Sequence, residues 1–576
     1  MKSRHSQQHL RPLLLTGLAL LAAACSDTGE PASQSTTTPP PATGTPPPST
    51  GSEITPDDAS EFLNQATFGA TNDEIALVQD GGYEEWLLAE FDKPQGSFLE
   101  PVLLVESSGT DAGSDELTET FWTQSILGED QLRQRVGFAL SQIIVASFAD
   151  GELEDRPVAM ANFMDIVTAG AFGDFRQTLE NVTYSPAMAI WLTYLQNQRA
   201  DEEGIVVPDE NYAREVMQLF TIGTLDLAPN GDLILDGNGD PIETYSNDDV
   251  TELAKVFTGL SWAEESRFFS RPSTNRSEFL PLVMFDEEHS PEEKTFLGTT
   301  IPEGTLGDTS ISIALDTLFA HPNTPPFISR QLIQRLVTSN PSSSYVGRVA
   351  DAFRTGSFAT PEGRTIGAGT RGDMRAVVAA ILLDPEARDD AFGAGIQYGK
   401  LREPVIRFTQ WARAFGVNNT SVDNLNIVQD TRGPDSLNQQ AYRSPSVFNF
   451  YRPGYVQPGS ESAAAGLVAP ELQITTSASV TGYANFITEF IFDDDERTQF
   501  APDYSTELAL ASDPAALVDH LNTLLASGQL SDGVRTQIID AITAITEDTN
   551  DFTRDELRVR TAILFVMTSV DYIVSR

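Results

Sequence analysis

From about residue 56 onward, large apolar residues return every three or four positions, and that period points to a helical body. In DQLRQRVGFALSQIIVASF (130–148), Leu132, Val136, Leu140, Ile143 and Ile144 share one helical face. TPPFISRQLIQRLVTSNP (324–341) opens on prolines and stops at Asn340-Pro341, as helices commonly do. RGDMRAVVAAILLDPEAR (371–388) and KLREPVIRFTQWARAFG (400–416) repeat the pattern, and the last 24 residues read as one more amphipathic helix. Alternation is confined to LDLAPNGDLILDGNGDPIETY (225–245), which turns twice at Asn-Gly-Asp, with SRFFS (266–270) and PLVMF (281–285) as candidate neighbouring strands. The expected fold is mainly α, a large multi-helix body over 56–576 with a small β-hairpin insertion at about 224–300.

One cysteine in 576 residues excludes an intrachain disulfide, so the body must be held by its core. That cysteine, Cys25, follows a basic start (Lys2, Arg4, Arg11) and an apolar run over 12–24 that is too short to span a bilayer. The pattern resembles a bacterial lipoprotein signal, with residues 1–24 cleaved and lipid carried on the Cys25 thiol; ordinary cleavage after Ala24 is the plainer alternative. Ser26, where an aspartate would favour the inner membrane, directs the expectation to the outer membrane, facing the periplasm or the outside. Residues 26–55 hold two Pro-Pro-Pro runs and no aromatic residue, the composition of a tether.

The formal charge is −47, from 83 acids against 36 bases. Such a chain repels phosphate backbones, which argues against nucleic acid as a partner. Roughly one residue in seven is a carboxylate, so acidic pairs at catalytic spacing arise by chance and carry little weight.

PDENYAREVMQLFTIG (208–223) sets Arg214 and Glu215 together on a polar helical arc opposite Tyr212, Ala213, Val216, Met217, Leu219 and Phe220. A solvated polar face explains every residue of it. With EFLNQATFGAT (61–71), LRQRVGFALSQIIVAS (132–147), YSNDDVTELAKVFTGLSW (245–262), HSPEEKTFLG (289–298), RGDMRAVVAAILLDPEAR and SPSVFNFYRPGY (444–455), this stretch resembles the bacterial family catalogued as domain of unknown function 1800. The resemblance spans nearly the whole body. It implies an exported bacterial protein, often found beside a sulfatase-like partner family, and carries over no established activity. Arg214 and Glu215 match the family pattern, whereas Gln218 stands where glutamate is usual, which weakens a two-carboxylate mechanism on this helix.

Other candidates divide between chemistry and architecture. Asp236, Asn238 and Asp240 occupy positions 1, 3 and 5 of a calcium-loop pattern, but Pro241 and Asn247 stand where glycine and glutamate belong, so a hairpin turn fits better. No cofactor is evident, and calcium is the metal the oxygen-rich composition would admit. His289 has the pKa range of a general base or acid and Lys294 could hold an anion, yet a loop histidine among Glu287, Glu288, Glu292 and Glu293 is also a plain surface group. Tyr451, with Phe448, Phe450 and Tyr455, could stack on a sugar or peptide or pack under its proline-rich loop. Ser246 and Asp249 have capping-box spacing.

Two functions stand on this sequence. One is a binding or assembly module acting with another exported protein or a surface polymer. The other is a hydrolase or transferase on an extracellular polymer, with Glu215 or His289 as base and Arg214 and Lys294 holding an anionic group. A purely structural envelope role, with Arg214 and Glu215 buried as a strut, is the third.

Overall fold

The computed structural model describes residues 53–203, 205–272, 274–389, 397–419, 430–492 and 500–576. Cys25, the leader and the tether lie outside the described residues. The body is mainly α-helical, with β structure limited, among the described residues, to short two-stranded antiparallel ladders and isolated bridges.

The first helix, Pro56–Ala66, starts in a capping box between Thr55 and Asp58, with proline at its first position. Central to the body is Gln131–Ser141, which packs most closely on Pro157–Gly170. Gly137 permits that approach, since a Cβ there would come within 2.9 Å of Thr168 Oγ1 and 3.0 Å of its Cα. Thr324–Leu336 lies against Ser343–Thr355, which in turn packs on Met374–Leu382. Near the C-terminus, Pro514–Ala526 packs against Arg554–Thr568. One apolar core runs through all of these helices.

Two stretches differ from the expected amphipathic form. Every residue of Gln131–Ser141 except Arg133 is buried, and so is every residue from Leu557 to Thr568. These helices are enclosed on all sides because neighbours cover their polar arcs as well as their apolar ones. The last 24 residues also do not form one helix. The helix stops at Thr568, Ser569 turns extended and caps a short turn Val570–Ile573, and Val574–Ser575 pairs antiparallel with Lys400–Leu401. Gly399 is required for that ladder, having φ +106° and the Ser575 carbonyl 2.4 Å from where a Cβ would stand.

Residues 225–243 form a three-segment meander through the bridges Leu225↔Glu243, Leu227↔Leu233 and Leu235↔Pro241. Asn323 pins it to the helical body: its amide donates to the carbonyls of Ile222 (2.9 Å) and Leu225 (2.8 Å), and its side-chain oxygen accepts from Leu227 N (3.0 Å). Of the other strand candidates, Val283–Met284 pairs with Leu260–Ser261, while Ser266–Ser270 makes bends and turns instead of a strand. Lys294–Phe296 and Thr299–Ile301 add a hairpin. Three further ladders, at 358–366, 400–401 with 574–575, and 418–419 with 500–501, lie outside the expected insertion.

Candidate functional site

The helix containing Arg214 and Glu215 runs from Asn211 to Gln218 and buries Tyr212, Ala213, Val216 and Met217. Tyr212 anchors it, its ring 4.3 Å from Tyr194 and 4.7 Å from Phe257, centroid to centroid. Arg214 is partly exposed, paired with Glu210 (3.0 Å) and reaching Asn247 Oδ1 (3.4 Å). Glu215 is half-buried; its Oε2 has no hydrogen-bond partner among the described residues. Burial raises its pKa, and Arg214 works against that rise. Gln218 accepts from the Tyr245 hydroxyl at 3.2 Å.

His289 and Lys294 belong to a different neighbourhood, although the helix Asn247–Ala254 touches both. His289 is enclosed, with Nδ1 at 3.0 Å from the Thr258 carbonyl and Nε2 at 3.2 Å from Ser310 Oγ. Burial lowers its pKa. Lys294 has no exposed surface and donates to the carbonyls of Ser290 (2.7 Å) and Glu292 (3.0 Å). Burial, helped by Lys255, lowers its pKa to about 8. Among the described residues, no hydrogen bond or ion pair joins Arg214 or Glu215 to His289 or Lys294. Ser246 and Asp249 make the capping box, and Asp249 also accepts from Leu297 N.

Asp236 closes the second meander turn, its Oδ1 accepting from Asn238 N (2.8 Å) and Asp240 N (3.0 Å). Those main-chain hydrogens hold its carboxyl below the usual range. Among the described residues, no group of three or more His, Cys, Asp or Glu side chains is arranged to hold a metal ion.

Tyr451 leads into the interior of the body. It is 4% exposed and lies in an interior cluster with Arg135, Arg335, Lys400, Glu403 and Glu471, all buried. Arg135 Nη2 donates to the Arg335 carbonyl (2.6 Å), and Lys400 Nζ donates to that same oxygen (2.7 Å). Arg335 Nη2 donates to the Gln142 carbonyl (2.9 Å). Each arginine thus caps the C-terminal end of the other's helix, where main-chain carbonyls lack intrahelical partners and the dipole favours a cation. Glu403 begins the helix Pro404–Ala414, but its carboxylate does not cap that helix. It turns inward and accepts from the side-chain amides of Gln142 and Gln439, both at 2.6 Å. Burial would raise its pKa, yet Lys400 and Arg135 hold it below the usual value. Glu471 pairs with Lys400 (3.3 Å), and burial raises its pKa. Beside the cluster, Arg402 and Arg407 are buried over the rings of Tyr572 and Tyr483.

One sequence signal could have found this cluster. In a chain of charge −47, KLREPVIRFTQWARAFG carries Lys400, Arg402, Arg407 and Arg413 against the single acid Glu403.

A second feature lies on the surface. Of the fifteen large hydrophobic residues exposed among the described residues, eight fall between Ile205 and Leu306, including the consecutive Leu233, Ile234 and Leu235 and the 63%-exposed Phe269. Isolated exposed apolar side chains are ordinary, but runs and concentrations of them mark interaction surfaces. Residues 201–310 also hold 24 acids and 6 bases, about twice the negative charge per residue of the whole chain.

These features define a large helical protein with an internal charge cluster and an acidic segment, 201–310, that is rich in exposed apolar residues. Residues 61–574 match the family model described as "Protein of unknown function (DUF1800)", and the chain belongs to that family. No curated protein and no solved structure matches it.

Proposed function

We propose that this chain is a binding or assembly module of the bacterial envelope, acting with another exported protein or a surface polymer. The observation that carries this reading is the concentration of exposed apolar residues and excess acid over 201–310. Lipid on Cys25 would anchor the protein to the outer membrane, and the Pro-rich residues 26–55 would let the body reach past the surface. The hydrolase or transferase reading drew its support from Arg214, Glu215, His289 and Lys294 acting together. His289 and Lys294 instead have their polar atoms engaged internally, which favours binding over chemistry at that position.

Photo-crosslinking in intact cells tests the reading, with the crosslinker placed at Leu235 or, as a control on an exposed leucine outside this region, at Leu77. A defined adduct at Leu235 and none at Leu77 is expected; equal labelling at both would remove the binding face. Cys25→Ser is expected to release the protein from the membrane fraction, and retention of this variant would refute the anchor independently of the face.

A further inference from the structure

We propose that Leu233–Leu235 is an open strand edge to which an extended cationic segment of another exported protein adds as a further β-strand, a mode of contact that rests on the binding role proposed above. Main-chain geometry, exposure and charge carry it.

The meander is built on an eight-residue repeat: LDLAPNGD (225–232), LILDGNGD (233–240) and PIETYSND (241–248). The second residue of each unit joins a closed ring of main-chain hydrogen bonds. Ile234 N donates to Asp226 O (2.9 Å), Asp226 N to Ile242 O (2.9 Å) and Ile242 N to Ile234 O (3.1 Å). Main-chain groups alternate in direction along a strand, so those of the flanking residues point away from the ring. On the first segment this outer edge is closed, because the Asn323 amide bonds Leu225 O and Leu227 N as a residue of an added strand does. On the third, Pro241 has no N–H to offer. The second segment has neither device. Among the described residues, the N–H and C=O groups of Leu233 and Leu235 have no hydrogen-bond partner.

Every residue from Asp232 to Pro241 is exposed, with Leu233 at 48%, Ile234 at 41% and Leu235 at 52%. Proteins commonly blunt a strand edge with a charge, a proline or a covering element. Here the edge residues themselves are aliphatic, and their nearest charges in sequence are the flanking Asp232 and Asp236. An unpaired edge lined by apolar side chains is what strand addition uses: main-chain bonds hold the incoming segment and alternate side chains select it.

Charge names the occupant. Residues 225–243 carry Asp226, Asp232, Asp236, Asp240 and Glu243 and no base. The two acids beside the edge are held by uncharged donors: Asp232 by Asn230 Nδ2 (2.7 Å) and Ser343 Oγ (2.5 Å), Asp236 by the main-chain N–H groups of Asn238 and Asp240. Half-buried Arg330 senses Asp232 but donates to the Gly231 carbonyl. A second copy of the chain, paired centre to centre, would set Asp232 against Asp236, and like charges opposite each other destabilise a strand pair. The complementary segment instead carries two cations four positions apart, matching the spacing of Asp232 and Asp236, with apolar residues between them.

The test follows fluorescence anisotropy of the labelled peptide Thr-Lys-Val-Thr-Val-Lys-Thr with the full-length protein in detergent, at about 0.15 M salt. Saturable binding is expected, weakened about tenfold or more when the peptide backbone is N-methylated, which removes its donors and keeps its charges. The same loss is expected in Leu233→Pro, which puts at the second segment the residue that already stands at the equivalent position of the third. Equal binding of the methylated peptide would mean charge attraction alone and overturn strand addition, while the adduct at Leu235 in cells would still judge the binding role. Absence of saturable binding overturns the proposal too. Self-association of the wild-type protein that Leu233→Pro abolishes would make a second copy the occupant and overturn the cationic partner. The methylated peptide is compared on wild-type protein, so it decides even where Leu233→Pro does not fold.

Discussion

Arg135 and Arg335 each close the end of the other's helix: Arg135 donates to the Arg335 carbonyl at 2.6 Å, and Arg335 to the Gln142 carbonyl at 2.9 Å. Two like charges are thereby held side by side in the interior, and the arrangement persists because helix-end carbonyls and the Glu403 carboxylate offset their repulsion.

Glu403 should therefore be the least replaceable acid in the body. Glu403→Gln removes the carboxylate that faces Arg135 and Lys400, and urea unfolding at pH 7 is expected to show a loss of about 3–5 kcal/mol. The folded-state pKa lies below the ordinary value, so this contribution is complete above the ordinary carboxylate range and fades as pH falls through the folded pKa. A loss under about 1 kcal/mol would mean that the cations are balanced by other groups.

Glu119 predicts a slope of the opposite sign. It is 7% exposed on the helix Ser114–Leu127, and burial, with Glu116 and Asp115 adding repulsion, raises its pKa to about 7. The folded state then holds a proton that the unfolded state releases between about pH 4.5 and 7. Its contribution is present at acid pH and lost across that window, by about 1–3 kcal/mol. Glu119→Gln should flatten the dependence and be the more stable protein at pH 8; an unchanged pH profile would exclude Glu119 as its source.

Glu215 distinguishes a strut from a wet surface or a site. Its unpartnered, half-buried Oε2 predicts that Glu215→Gln leaves stability at pH 7 unchanged or raised, within about 1 kcal/mol. A loss of about 3 kcal/mol or more would make it one half of a buried pair.

Asn323 predicts a local effect. Its three hydrogen bonds tie the meander to the body, and Asn323→Ala leaves their main-chain partners unpaired. We expect a loss of about 2–3 kcal/mol and faster proteolytic cleavage within 225–243. Unaltered cleavage there would show that the meander is held from elsewhere.

Although the Thr324 helix ends at Leu336, ahead of the expected stop at Asn340-Pro341, the sequence by itself determined the helical class, the start set by Ser246, the stop at Gly416 and the turns of the meander. These features depend on backbone geometry and on residues a few positions apart, so local pattern is enough to read them. It did not determine which polar arcs meet water. Arg214 and Arg135 both lie outside the apolar stripe of a short helix, yet one is partly exposed and the other is enclosed. The Asn211 helix has one covered side, whereas the Gln131 helix is covered all round. Periodicity reports only a helix's own faces; how many neighbours cover them is settled by packing across hundreds of residues. Only that packing brought Arg135, Arg335, Lys400, Glu403, Tyr451 and Glu471 together, because the segments around 135, 335, 400–403 and 451–471 are far apart in sequence.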